Sequence, residues 1–177
     1  RGLTEGLAHT LGIAASTNSI QEIRNADCIL LIGADPAQTH PIVKNEIQLA
    51  IRRNRAQLIV IGSQDISLTR ATSISPLLPP SVLLLDQPGK ELHFLNAMLQ
   101  TIFKEDLEDK TFINEKTEGI EALRNQISAF QPEFSEEVRG NQGEIEKAAR
   151  AFAKAERAMI LVGSGCWSPL DAKAVAL

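Results

Sequence analysis

Tyrosine is absent from the 177 residues, and one tryptophan (Trp167) and six phenylalanines are the only aromatics. That leaves little from which to build an aromatic stacking surface for nucleic acid. Dense Lys/Arg runs are also missing and the formal charge is −4, which argues against nucleic acid or an anionic membrane as the main partner. The two cysteines, Cys28 and Cys166, are too far apart for zinc or iron–sulfur spacing. They are expected as free thiols in a reducing, cytoplasmic setting. No apolar run approaches the ~18 residues of a membrane span, so no direct membrane insertion is expected. His9, His40 and His93 are scattered and give no metal spacing. Nothing resembles a Walker A loop or a Ser–His–Asp set, so no catalytic and no metal-ligating residue is assigned. The chain opens at Arg1 and stops in a helix-like stretch at Leu177, and is expected to be a piece of a longer protein.

What is present is organised around Ala26–Pro41, ADCILLIGADPAQTHP. The apolar run Cys28–Ile32 stops at Gly33, a polar loop follows, and an amphipathic stretch begins at Pro41. This reads as a buried strand, a loop at its carboxyl end and a helix over about Ile42–Asn54. Further apolar runs at Leu58–Ile61, Val82–Leu85 and Met159–Val162 read as strands. Helical periodicity marks Arg1–Gly12, a stretch from Gly89 to about Phe103, Glu118–Phe130 and Glu144–Ala155, with a helical turn around Phe112. Ser19 with Glu22 three residues on forms a capping-box pattern for a short helix, Ile20–Asn25. Gly62–Ser81 reads as irregular. Continuous rather than alternating apolar strands imply burial on both faces, hence an α/β fold with a mostly parallel sheet between helix layers, three-layer and Rossmann-like.

In such sheets ligands sit outside the carboxyl ends of the strands. Three glycine-bearing loops fall there: Gly33–Pro41, Gln87-Pro88-Gly89 and Gly163-Ser164-Gly165. Their convergence suits an extended, nucleotide-like ligand, although each loop alone is also an ordinary turn. His40 before Pro41 fits a capping or packing role as readily as a chemical one. Acid clusters at Glu105–Asp109 and Glu133–Glu137 read as solvated helix faces.

The ordered run of matches resembles the molybdopterin oxidoreductase family. Thr17-Asn18-Ser19-Ile20, Leu31-Ile32-Gly33-Ala34-Asp35-Pro36-Ala37 and His40-Pro41-Ile42-Val43 carry it first. Leu58–Ile61, Pro88-Gly89, Thr117-Glu118-Gly119, Gln131-Pro132-Glu133 and Gly163 with Gly165 follow in order. The likeness is greatest to formate dehydrogenase α subunits and to the large subunit of NADH-quinone oxidoreductase. It implies a bis-(molybdopterin guanine dinucleotide) cofactor with Mo or W in the parent, and iron–sulfur clusters elsewhere in the parent. It implies a division into residues 1–162, the middle α/β domain, and 163–177, the start of the next cofactor-binding region. It marks Gly33, Asp35, His40, Gly62, Gly89, Glu91, Gly163 and Gly165 as cofactor-pocket positions.

The departures fall in the loops. The family's Asp-Pro-Arg after the second strand is Gly62-Ser63-Gln64, the first-loop Asn is Asp35, and Pro-Gly-Thr-Asp is Pro88-Gly89-Lys90-Glu91. The resulting expectation is a scaffold domain with a degenerate pocket in an NADH dehydrogenase (quinone) type complex. Its partners would be the other electron-transfer subunits, on the cytoplasmic peripheral arm of a membrane complex. The alternative is part of a formate-dehydrogenase-like catalytic subunit that binds the dinucleotide. A third class, a generic nucleotide-binding α/β module, does not account for the long ordered match.

Overall fold

The computed structural model describes residues 2–63, 65–74, 77–85, 91–129 and 141–163. A strand with no polar residue has no face to give to water, so it must be covered on both sides. Cys28–Ile32 (β1) is buried at every position. It lies inside a four-stranded sheet with Gln57–Gly62 (β2), Val82–Leu85 (β3) and Ala158–Val162 (β4), in the order β3-β2-β1-β4. Every pairing is parallel, and Ile32 stands opposite Ile61 on one side and Val162 on the other.

Alternate residues of the strands feed two separate cores. Cys28, Leu30 and Ile32 pack with Ile59, Ile61, Val82 and Leu84 against Phe94, Ala97 and Met98 of Glu91–Lys104 and against Ile145, Ala148 and Ala149 of Gln142–Ala153. Ile29 and Leu31 pack with Leu58 and Val60 against Ile47, Ala50 and Ile51 of Pro41–Asn54. Each fully buried Leu or Ile stabilises the fold by about 1.5–3 kcal/mol. The expected three layers are therefore present.

β4 departs from the expectation of burial on both faces. Its pattern is exposed or half-buried throughout, and Ile160 is 53% exposed. β3, at the other end of the sheet, is buried under a helix, whereas among the described residues no helix packs closely over β4, and local hydrophobicity does not report that difference. A backbone tether fixes its start: the Asp27 carboxylate accepts the N–H groups of Glu156 and Arg157, both at 3.0 Å.

The helices in chain order are α1 (Gly2–Leu11), α2 (Pro36–Thr39), α3 (Pro41–Asn54), α4 (Ser67–Ile74), α5 (Glu91–Lys104), α6 (Lys110–Lys116), α7 (Ile120–Ala129) and α8 (Gln142–Ala153). Local sequence does not predict α2 or α4. α2 occupies part of the loop after β1, because Asp35 caps it and Pro36 supplies a preset first φ. α4 lies within the stretch expected to be irregular, where Asp65 accepts hydrogen bonds from the Thr69 hydroxyl and from Arg70. Ile20–Asn25 is a 3₁₀ helix rather than an α-helix. The expected helix from Gly89 is described from Glu91 on, and the helix expected from Glu144 begins at Gln142. Residues 86–90, 130–140 and 164–177 lie outside the described residues, and with them Gly89 and Gly165.

Among the described residues no helix is long and apolar enough to cross a membrane. No cluster of three or more His, Cys, Asp or Glu that could hold a metal occurs among them either.

Candidate functional site

The strand order places β2 and β3 on one side of β1 and β4 on the other. The strand order therefore reverses between β1 and β4, and a crevice is expected at the carboxyl ends of these two strands. A cavity of about 1120 Å³ lies there. Its floor is the end of the sheet: Gly33 after β1, Gly62 and Ser63 at the end of β2, and Val162 and Gly163 at the end of β4. One wall is the loop and helix start Asp35–His40, and another is the polar run Ser16–Ser19. Leu3, Leu7 and Leu11 of α1 close an apolar end opposite Met159 and Ile160.

The three glycines serve different purposes. Gly33 has φ +58°, a backbone region that favours glycine, and turns the chain out of β1. Its N–H donates to the Ile61 carbonyl at 2.8 Å, and Gly163 N–H donates to the Ile32 carbonyl at 2.8 Å. The ladders therefore run one residue past β1 and β4. A Cβ on Gly163 would meet the Gly33 backbone, whereas a Cβ on Gly62 would meet nothing within 4 Å. Gly163 is required by packing, and Gly62 leaves bare backbone facing open space.

Asp35 caps α2. One carboxylate oxygen accepts from Ala37 N–H at 3.0 Å and the other from the Gln38 side-chain amide at 2.8 Å. Its charge is folded back into its own turn. Asp35 is also the one formally charged side chain lining the cavity, since no Lys or Arg is found there among the described residues. His40 joins α2 to α3: its N–H donates to the Pro36 carbonyl at 2.9 Å and its own carbonyl accepts from Lys44 N–H at 3.0 Å. Its ring Nδ1 lies 2.8 Å from the Thr39 hydroxyl.

The Ser16–Ser19 wall is held from behind. Ser19 N–H and its hydroxyl both donate to Glu22 Oε2, at 2.6 and 2.8 Å. The backbone bond from Ser19 is the first reason that the Glu22 carboxyl sits below the usual range. Arg24 then forms a two-pronged bridge to Glu46 of α3, Nε to Oε2 at 2.6 Å and its terminal nitrogen to Oε1 at 2.7 Å. The hydrogen bonds from Arg24 hold the Glu46 carboxyl below its ordinary value. Asn54 adds amide donation to the carbonyls of Arg24 and Ala26.

Of the residues singled out in the sequence, the fold therefore brings Gly33, Asp35, His40, Gly62 and Gly163 around one cavity. Glu91 is placed elsewhere: it is 3% exposed in the first turn of α5 and does not line the cavity. Sequence reasoning misses the Ser16–Ser19 wall as part of a site. Its signal is four consecutive hydroxyl and amide side chains before a capping box. Cys28 lies at the opposite end of β1, buried, and burial pushes its thiol up to about 12.

The Molybdopterin oxidoreductase family model matches residues 9–176. The chain is 36% identical over 161 residues to formate dehydrogenase H of Escherichia coli (strain K12), covering 90% of this chain and 21% of that protein. It is 35% identical over 161 residues to the F420-dependent formate dehydrogenase subunit alpha of Methanocaldococcus jannaschii, covering 90% and 23%. The chain thus spans about a fifth of the length of these curated relatives. Among solved structures, acetylene hydratase from Pelobacter acetylenicus superposes with a TM-score of 0.70 at 21% identity, over 99% of this chain and 22% of that one. That likeness concerns the fold.

Proposed function

This chain belongs to the molybdopterin oxidoreductase family, and we propose that it is the nucleotide-holding α/β part of a formate-dehydrogenase-type catalytic subunit. The observation that supports this reading is the cavity at the strand-order reversal, with Gly33, Gly62 and Gly163 on its floor. Its volume exceeds the ~300–1,000 Å³ of ordinary small-molecule pockets, as a dinucleotide requires. Bare backbone at Gly62 lets a ligand approach the sheet end closely. The residues present therefore fit the nucleotide end of a molybdopterin guanine dinucleotide. The hydroxyls of Ser16, Thr17 and Ser19 and the ring of His40 would hold its polar edge, with the backbone of Gly33 and Gly62 beneath it.

A metal-bearing pterin, when bound, would supply the two-electron oxidation of a small substrate such as formate. On this reading this chain's residues bind and orient the nucleotide. Iron–sulfur clusters and electron-transfer partners belong, on this reading, to parts outside the chain. The relatives named above are formate dehydrogenases, which favours this reading over a scaffold in an NADH dehydrogenase complex.

The test is metal and pterin analysis of the purified, matured polypeptide that contains this chain, together with a formate-dependent dye-reduction assay. Stoichiometric Mo or W, a guanine dinucleotide pterin and formate oxidation are expected. A matured polypeptide with neither metal nor pterin overturns the proposal and returns the scaffold reading.

A further inference from the structure

We propose that α6 and α7 form a strap that opens as one unit while the sheet stays folded. Arg124 is its clasp, and a buried oxygen of Glu108 weights the clasp towards opening. None of residues 105–129 lines the cavity, so the strap is separate from the nucleotide-holding reading.

Burial sets the boundary of the strap. α5 buries Phe94, Ala97 and Met98, and α8 buries Ile145, Ala148 and Ala149, all in the core on one face of the sheet. No residue of α6 is buried, and α7 buries Ile127 alone, with Ile113, Ile120 and Leu123 half-buried. A segment that removes so little apolar surface from water opens at a lower free energy than the core. The chain leading into it is held on the core side. Arg150 of α8 grips Glu105 with two nitrogens, at 2.8 and 2.6 Å. Asp106 then turns the chain with φ +58°, and Leu107 N–H closes the turn on the Ile102 carbonyl at 3.0 Å.

Arg124 of α7 reaches back to this fixed end. Its guanidinium lies over the Phe103 ring, 4.7 Å from the centroid, and donates to Glu108 Oε1. The Glu108 side chain is 4% exposed, and its Oε2 is buried with no hydrogen-bond partner among the described residues. Closed, the clasp keeps half of a carboxylate dry and unbonded, a cost that water removes once α7 lifts. Removing Arg124 alone strands the whole charge in the closed state. Removing both partners abolishes the cost. The two changes therefore act differently on the strap, whereas an ion pair that simply held α7 down would loosen it in both.

The test is hydrogen exchange, read by mass spectrometry on peptides of β1, α6, α7 and α8, in the purified polypeptide that contains this chain. In the wild type the amides of α6 and α7 are expected to exchange together, at least about a hundredfold faster than those of Ile29, Leu30 and Leu31 in β1. Arg124→Met keeps an apolar contact for Phe103 and should speed α6 and α7 about tenfold or more, with β1 unchanged. The double variant Glu108→Met with Arg124→Met should exchange in α6 and α7 no faster than wild type. Lys110→Gln removes the exposed pair with Asp106 and should change them less than about twofold. Exchange of α6 and α7 as slow as that of β1 in the wild type overturns the strap. Equal acceleration of β1 and α7 by R124M overturns its independence from the sheet. A double variant that exchanges as fast as R124M overturns the role of the Glu108 oxygen.

Discussion

A side-chain carbon on Gly163 would overlap the carbonyl oxygen of Gly33 and stand 2.6 Å from the Cβ of Ala34. The end of β4 and the turn out of β1 are thus in direct backbone contact, across the crevice where the strand order reverses. Both clashing groups belong to, or sit beside, the turn that begins the cavity wall, so relief by a side-chain rotation is closed off.

Gly163→Ala is expected to destabilise the chain by about 1–3 kcal/mol, the usual cost of overpacking. Urea denaturation of purified variants measures it. Gly62→Ala is the control: its Cβ meets nothing within 4 Å. Its stability should stay within about 0.5 kcal/mol of wild type. Nucleotide affinity should nevertheless fall, because the new methyl intrudes on the cavity floor. Equal stability of the two variants would contradict the packing role of Gly163.

Glu46 links acid stability to the bridge that joins the Ile20–Asn25 helix to α3. Its carboxyl is held below the ordinary value of 4.5, first by the hydrogen bonds from Arg24. At neutral pH the folded and unfolded states both hold it ionised, and the bridge contributes fully. As pH falls through 4.5 the unfolded state takes up the proton first, so stability drops until the native carboxyl is protonated as well. Glu46→Gln is therefore expected to flatten the decline of Tm from neutral pH through the carboxylate range, from a lower starting Tm. A decline as steep as wild type would show that other carboxyls dominate.

Cys28 should be chemically silent in the folded chain. Burial, and second the negative charge of Asp27, push its thiol up to about 12, so the reactive thiolate is scarce at neutral pH. Iodoacetamide labelling followed by peptide mapping should find Cys28 unmodified under native conditions and fully modified in denaturant. Rapid native labelling would mean that β1 opens locally far more often than a central strand does.

The strands are legible in the sequence because apolar runs bounded by Gly and charge leave no competing reading. Cys28–Ile32 and Val82–Leu85 are found at their expected bounds, and Leu58–Ile61 and Met159–Val162 each gain a residue or two at the ends. α2 escapes such a reading because four residues show no helical period, although Asp35-Pro36 has the cap chemistry of a helix start. α4 escapes it because the proline-rich sequence that follows points to an irregular stretch. The seat of the Ile20–Asn25 helix on α3 involves Arg24 reaching Glu46, 22 positions away. No local pattern reports a contact of that span.

A parallel α/β sheet between helices follows from the amino-acid order alone, because strands without polar residues must be covered on both faces. The ordered loop and strand signatures likewise suffice for the molybdopterin oxidoreductase family. That β4 joins β1 rather than β3 emerges only in three dimensions, since every strand is apolar enough to pair with any other. This pairing places the reversal between Gly33 and Gly163, opens the cavity there, and leaves Glu91 outside it. Strand order is settled by how helices pack on both faces of the sheet, a long-range balance that periodicity along the chain does not record.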